Sequence, residues 1–267
     1  MTTPPGDREY LERLEFSRGH IAPGMEPVEP RPASTIVTAR RRSAGFEVLL
    51  LKRPDTARFA AGVFVFAGGV VDSADHSDDL VGILPAGFTG LVKAALAAGL
   101  RELFEETGFL LSDKQVLAAE ADRARRDLLS AATTFAAIVR QMNLSFRNLP
   151  VAYIARWVTP EKFSRRYDTH FFLTGAPGND PDLTGELVDH VWLRPAEAVR
   201  RFETGELPLL FPTRRTLEDL SRFGTLEEAL AGYAEHEVKA ILPKLLVKGE
   251  SVVPVLPGDP GFEEADS

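Results

Sequence analysis

Cysteine is absent from all 267 residues. That excludes a disulfide framework, a thiol nucleophile and a cysteine-ligated zinc, and it fits a reducing compartment such as the cytoplasm. Long apolar runs are absent too, since none approaches the roughly 20 residues of a membrane span. The first residues, Met1 to Glu9, lack the apolar centre of a signal peptide. The last five, Glu263 to Ser267, do not form a Ser-Lys-Leu peroxisomal address. Positive charge is in deficit, with 31 lysines and arginines against 39 acidic residues and a net charge of −8. Non-specific nucleic-acid binding needs a basic surface, so no nucleic-acid partner is expected. The remainder, 44% apolar and 26% charged, is ordinary for a globular protein. No linker or internal repeat divides it. The chain reads as one domain over residues 34–267, behind an extended lead-in over residues 1–33 that holds six prolines.

The densest chemical signal lies between Arg101 and Phe109. Glu102, Glu105 and Glu106 stand at i, i+3 and i+4, within an arc of roughly 100° on one helical face. Leu96, Ala97, Leu100, Leu103 and Phe104 fall on the opposite face, so the helix is amphipathic. Gly108 ends it, as glycine does where the chain turns left-handed. Three carboxylates in the last turn oppose the macrodipole, which favours acids at the other end. Like charges four apart add a few tenths of a kcal/mol of repulsion. Something positive should offset this, and a hard divalent cation with oxygen ligands is suited to it. A solvated acidic face with Arg101 paired to Glu105 is the plainer alternative.

The run from Arg101 to Phe109 resembles the second half of the Nudix box, Gly-x5-Glu-x7-Arg-Glu-U-x-Glu-Glu-x-Gly-U, where U is aliphatic or aromatic. Every fixed position of that half is present. Gly69 fits the opening glycine, and Asp75 stands where the family has glutamate. Between Asp75 and Arg101 lie 25 residues rather than seven, so an insertion at about residues 76–93 splits the box. Asp72 and Asp75 before it and Asp78 and Asp79 within it lack the spacing of a calcium loop. The insertion rejoins the chain beside the helix, where it is either a lid or surface packing.

A second resemblance lies upstream, to the signature of Nudix enzymes that cleave coenzyme A. Leu49, Leu50, Arg53, Arg58, Gly62, Phe66, Gly68 and Gly69 match it in register, while Leu51, Pro54 and Ala67 depart from it. Two arginines beside a glycine-rich turn suit an anionic ligand, because guanidinium forks grip phosphate oxygens in pairs. The split box resembles the peroxisomal coenzyme A diphosphatase type. Arg40, Arg41 and Arg42 read instead as the basic end of a hairpin strand.

The remaining elements are read from pattern. Residues 34–42 and 46–52 form a hairpin, and a helix follows over 91–107. A short strand is expected at 109–111, then two helical segments between 113 and 142. Strands are expected near 151–159, 165–173, 185–193 and 252–256, the last confined to an edge by Pro254. Helices are expected near 195–202, 214–222 and 226–235. His170 reads as a structural histidine in an alternating strand. Glu186, with Asp189 in reserve, is the candidate for an extra acidic residue outside the box.

Pattern suggests an α/β fold with a mixed sheet covered by helices. The resemblance sharpens this to the Nudix α/β/α sandwich. It further implies metal-dependent hydrolysis of a diphosphate linkage in a small nucleoside diphosphate substrate. Glu102, Glu105 and Glu106 would hold Mg²⁺ or Mn²⁺, Arg101 would orient a glutamate, and Glu105 or Glu186 would act as base. Arg53, Arg58, Gly68 and Gly69 would bind substrate. Coenzyme A or an acyl-CoA is the implied substrate, with ADP-ribose or NADH as the alternative. A non-catalytic nucleotide-binding module is a third reading, which the intact glutamates oppose. A homodimer is compatible with the chain.

Overall fold

Alternation along residues 31–52 builds the centre of the molecule. Arg31–Arg42 forms strand β1 and Gly45–Lys52 forms β2, antiparallel and joined through Ser43 and Ala44. The computed structural model describes residues 26–57, 60–184, 187–248 and 251–265. Successive side chains of these strands point to opposite faces. Ile36, Leu49 and Leu51 enter one apolar core, and Val37, Ala39, Val48 and Leu50 enter another. Strands apolar on both faces belong in the middle of a covered sheet. At the hairpin end, Arg40 and Arg42 both pair with Glu47, at 2.9 and 2.8 Å, and Arg41 pairs with Glu227.

The sheet adds β3 (Phe64–Val65), β4 (Ala67–Val70), β5 (Val151–Val158), β6 (Tyr167–Gly175), β7 (Asp189–Leu193) and β8 (Ala240–Ile241). Its order is β3-β2-β1-β6-β5-β8, with β4 also paired to β1 and β7 to β2. β1 runs parallel to β6, and β5 to β8, among otherwise antiparallel pairs, so the sheet is mixed. Helices α1 (Asp78–Val81), α2 (Gly90–Thr107), α3 (Ala118–Leu129) and α4 (Phe135–Gln141) pack on the first core. Helices α5 (Pro195–Glu203), α6 (Phe211–Leu220) and α7 (Leu226–Ala234) pack on the second. The result is the expected α/β/α sandwich. Strands β9 (Lys244–Lys248) and β10 (Ser251–Val255) make a separate two-stranded sheet, which leaves Pro254 without a central position, as expected. No helix among the described residues is long and apolar enough to cross a membrane.

Three readings change in detail. β1 begins at Arg31, three residues inside the expected lead-in, and Arg31 N–H donates to the Arg166 carbonyl. Residues 109–111 are not a strand. Phe109 and Leu111 are buried in the first core with the helices, and among the described residues neither pairs with a strand. The insertion is packing rather than a free lid. Leu80 and Leu84 are buried in the first core, Asp79 pairs with Arg140 at 2.7 Å, and Phe146 N–H donates to the Ile83 carbonyl.

Candidate active site

Helix α2 lies against β1 and β4 because its inner face is small and apolar. Ala94 to Leu100, Leu103 and Phe104 are all buried. A Cβ at Gly99 would stand 2.5 Å from Ser34 Oγ and 2.7 Å from Ile36 Cδ1. A mid-helix glycine costs roughly 1 kcal/mol against alanine, and here it admits this close approach. The same closeness explains Gly68 and Gly69. A Cβ at Gly69 would fall 2.3 Å from Glu102 Oε1, and one at Gly68 would fall 2.2 Å from the Ser34 carbonyl. Gly68 N–H donates to Glu106 Oε2 at 3.1 Å. The glycine pair is therefore the surface on which the helix's carboxylates rest.

Arg101 is the hub of the site. Its Nε and Nη2 donate to Asp75 Oδ1 and Oδ2, both at 3.0 Å, in a bidentate pair. Its Nη1 donates to Glu102 Oε1 at 2.8 Å and Glu105 Oε2 at 3.2 Å, and its Nη2 also reaches the Val70 carbonyl at 3.0 Å. Asp75 is only 1% exposed and also accepts from Asp72 N–H at 2.8 Å, closing the turn Ser73–His76. Asp75 thus stands where the split box has its altered acid, and it reaches Arg101 across the insertion. Its sequence position marks it, although its contact with Arg101 is invisible in one dimension.

The balance of charge is incomplete. One guanidinium faces Asp75, Glu102 and Glu105 within 3.2 Å. Burial pushes the Glu105 carboxyl up to about 7 despite the pull of Arg101, with the charge of Glu102 adding to the rise. Burial raises Glu102 as well, again against Arg101. Burial also disfavours the charge on Arg101, but the hydrogen bonds of Asp75 and the charges of Glu102, Asp75 and Glu105 outweigh it, so its pKa is raised. The carboxylates exceed what Arg101 neutralises. Among the described residues no three acidic or histidine side chains converge as a ready-made metal cage. Arg101 stands between Glu102 and Glu105, and Glu106 turns to the Gly68 amide.

The C-terminal turn of α2 is held by a residue that its own sequence context does not reveal. Arg125, in α3, is nearly buried and donates to the Glu105 carbonyl from Nε at 3.2 Å and Nη2 at 2.9 Å. It also bonds the Asp182 carbonyl and carboxylate, at 2.6 and 3.0 Å. Thr184 Oγ1 donates to the same Glu105 carbonyl at 2.8 Å. A cation on the last carbonyls of a helix opposes the negative end of the dipole. Gly108 follows with φ of 74°, the left-handed cap expected of it. Arg125→Ala is expected to cost about 2–4 kcal/mol, because a buried side chain and its four bonds to the Glu105 carbonyl and to Asp182 are lost. That corresponds to a fall of roughly 4–16 °C in melting temperature for a chain of this size. Thermal unfolding followed by circular dichroism tests this, and a shift under about 2 °C would show the guanidinium to be dispensable.

A cleft of about 490 Å³ opens beside the glycine pair. Arg53, Gly68 and Gly69 line it, as does Arg165 from the loop between β5 and β6. Arg58 and Glu186 lie outside the described residues. Asp189 is exposed at the start of β7, where it accepts from His190 N–H. His170 is buried, with Nδ1 2.7 Å from Tyr153 Oη, and burial lowers its pKa. That setting matches the structural histidine read from the alternating strand.

No family model matches the chain. It is 28% identical over 289 residues to the human protein named acyl-coenzyme A diphosphatase NUDT19, covering 86% of this chain and 76% of that protein. The Xenopus laevis protein of the same name is 24% identical over 303 residues, covering 93% and 78%. Among solved structures, a NUDIX hydrolase from Alicyclobacillus acidocaldarius superposes with a TM-score of 0.65 at 28% identity, over 79% of this chain and 99% of that one. In fold, in box and in sequence the chain is similar to Nudix hydrolases and, among named relatives, to the acyl-coenzyme A diphosphatases.

Proposed function

We propose that the chain hydrolyses the diphosphate linkage of coenzyme A and its acyl thioesters, giving (acyl-)4′-phosphopantetheine and adenosine 3′,5′-bisphosphate. The observation that carries this reading is the Arg101 hub, which gathers Asp75, Glu102 and Glu105 next to the Gly68–Gly69 backbone that lines the cleft. The substrate is taken from the names of the relatives. Those names lend no support to ADP-ribose or NADH, the other substrates the box admits.

Glu102, Glu105 and Glu106 are the residues that would hold a divalent cation, Mg²⁺ or Mn²⁺. They fit it by donor type, since hard cations take carboxylate oxygens. They fit it by charge, since the site carries more carboxylate than Arg101 offsets. A cation bound there supplies charge neutralisation and Lewis acidity toward the diphosphate. The chain's own residues do the rest. Asp75 fixes Arg101, and Arg101 holds Glu102 and Glu105 in place. Glu105 Oε1 takes no bond from Arg101, which leaves that oxygen placed to accept the proton of an attacking water. The water oxygen bonds to one phosphorus while the bond from that phosphorus to the bridging oxygen breaks. The other phosphate leaves with that oxygen. Arg53, beside the glycine pair, and Arg58 are placed by the motif to grip phosphate oxygens.

A product assay tests the reading. Coenzyme A, acetyl-CoA, ADP-ribose and NADH are compared with Mg²⁺, with Mn²⁺ and with a chelator. The expected result is release of adenosine 3′,5′-bisphosphate from coenzyme A that the chelator abolishes. Faster release of AMP from ADP-ribose or NADH overturns the substrate assignment.

A further inference from the structure

The cleft has walls of more than one kind. One part of it is glycine backbone with Arg53, and Gly69 packs against Glu102. Phe66, Trp157 and Phe171, on the second-core face of the sheet, also line it, as do residues of the C-terminal hairpin β9–β10. In that hairpin Leu245 pairs with Pro254, so the two share a face. Together with Pro243 they line the cleft. The opposite face of the hairpin is occupied by its own small cluster of Leu246, Val255 and Ala265, with Phe262 packed against it. Leu245 is among the lining residues of the cleft and is itself only 5% exposed, so its side chain stands behind the cleft surface, packed by the protein.

The hairpin is anchored for this placement. Arg215 of α6 pairs with Asp259 at 2.5 Å, and Asp259 in turn accepts from Leu256 N–H at 2.9 Å, just beyond β10. Lys244 sits 4.5 Å over the Phe262 ring. The wall is therefore tied to the helix that forms the cleft's other side.

Its chemistry selects among the parts of a substrate. Pro160, Pro212, Pro243 and Pro254 all line the cleft, and none offers a backbone N–H. A purine edge is read by donors and acceptors, whereas an alkyl chain needs only apolar contact. We propose that Pro243, Leu245 and Pro254 form an acyl-chain subsite, and that Leu245 sets the length of the S-acyl group accepted. This rests on the coenzyme A reading above.

The test uses the full chain and ratios of kcat/KM, in which differences in the active fraction cancel. Free coenzyme A, decanoyl-CoA and palmitoyl-CoA are assayed with wild type, Leu245→Trp and Leu245→Ala. In Leu245→Trp, which narrows the subsite, the decanoyl-to-free ratio is expected to fall about tenfold. In Leu245→Ala, which opens it, the palmitoyl-to-decanoyl ratio is expected to rise. If Leu245→Trp fails to fold, the alanine variant decides alone. Turnover of free coenzyme A with both ratios unmoved in every folded variant overturns the acyl subsite and leaves the substrate assignment standing. No turnover of free, decanoyl- or palmitoyl-coenzyme A by wild type overturns that assignment and the subsite with it.

Discussion

Glu105→Gln lowers kcat by about 10³-fold, within the range general-base removal produces, and at the same time raises the melting temperature of the metal-free protein. The two effects have one origin. Burial pushes the Glu105 carboxyl up to about 7, well above the ordinary glutamate range. A carboxyl whose folded pKa lies above its unfolded value binds its proton more tightly when folded. Its contribution to stability is complete below about pH 4.5 and is lost as the pH rises through about 7. At pH 8 the ionised group costs on the order of 2 kcal/mol, a figure reduced for the partial exposure of the side chain. Glutamine keeps the shape and removes that charge. The variant should therefore melt roughly 4–8 °C higher than wild type at pH 8 without metal, and close to it at pH 5. Added Mg²⁺ should stabilise wild type more than the variant at pH 8, because a cation offsets the same repulsion. Thermal scans at the two pH values, beside single-substrate kinetics, decide it. A variant that turns over normally removes Glu105 from the chemistry. One that melts below wild type at pH 8 shows that its charge is already satisfied by Arg101.

Much of the site is local in sequence and is legible there. The carboxylate face of α2 follows from 3.6-residue periodicity, and Gly108 from the need for a left-handed cap. The hairpin at β1–β2 and the two-core alternation follow from period-two patterning. What sequence alone leaves open is long-range. Arg125 sits in a stretch of charge and alanine whose pattern says only surface helix, yet it closes the end of α2 from 20 residues away. Strand β4 is Ala67-Gly68-Gly69-Val70, which reads as a turn because glycine is a poor strand former. It pairs because Glu102 and the Ser34 carbonyl leave room for nothing larger. Residues 109–111 fail in the opposite sense. Their alternation is real, but it fills a helical layer. Strand β9 is missed because a short apolar run beside Pro243 carries no turn signal of its own.

The split in the box changes how the hub is assembled. A short spacer would bring the upstream acid to Arg101 along a compact path. Here α1 and residues 82–89 intervene, and their Leu80 and Leu84 are used as core. The insertion is thereby fixed at both ends, by the Asp75–Arg101 pair on one side and by α2 on the other. That makes Asp75 the joint between the added segment and α2.

Asp75→Ala is expected to be the most destabilising single change at the site. It removes the bidentate partner of a guanidinium that is itself only 11% exposed, and it leaves the Asp72 N–H without its acceptor. Breaking a buried pair by deleting one member costs about 3–5 kcal/mol, which for this chain means a fall of roughly 6–20 °C in melting temperature. Turnover should drop about 10- to 100-fold among molecules that remain folded, since a misplacement near 1 Å carries a penalty of that order. The loss should fall on kcat more than on KM, because Asp75 positions Arg101 and touches no substrate atom. Two conservative variants separate charge from shape. Asp75→Asn keeps the outline but offers Arg101 one neutral acceptor, so it should lie between wild type and alanine. Asp75→Glu restores the charge, yet a position only 1% exposed has little space for another methylene, and overpacking costs about 1–3 kcal/mol. Glutamate should therefore recover turnover more fully than melting temperature. If alanine at 75 melts within about 2 °C of wild type, Arg101 has found a second anchor, and Asp72, 3.8 Å from its Nη2, is the group placed to supply it.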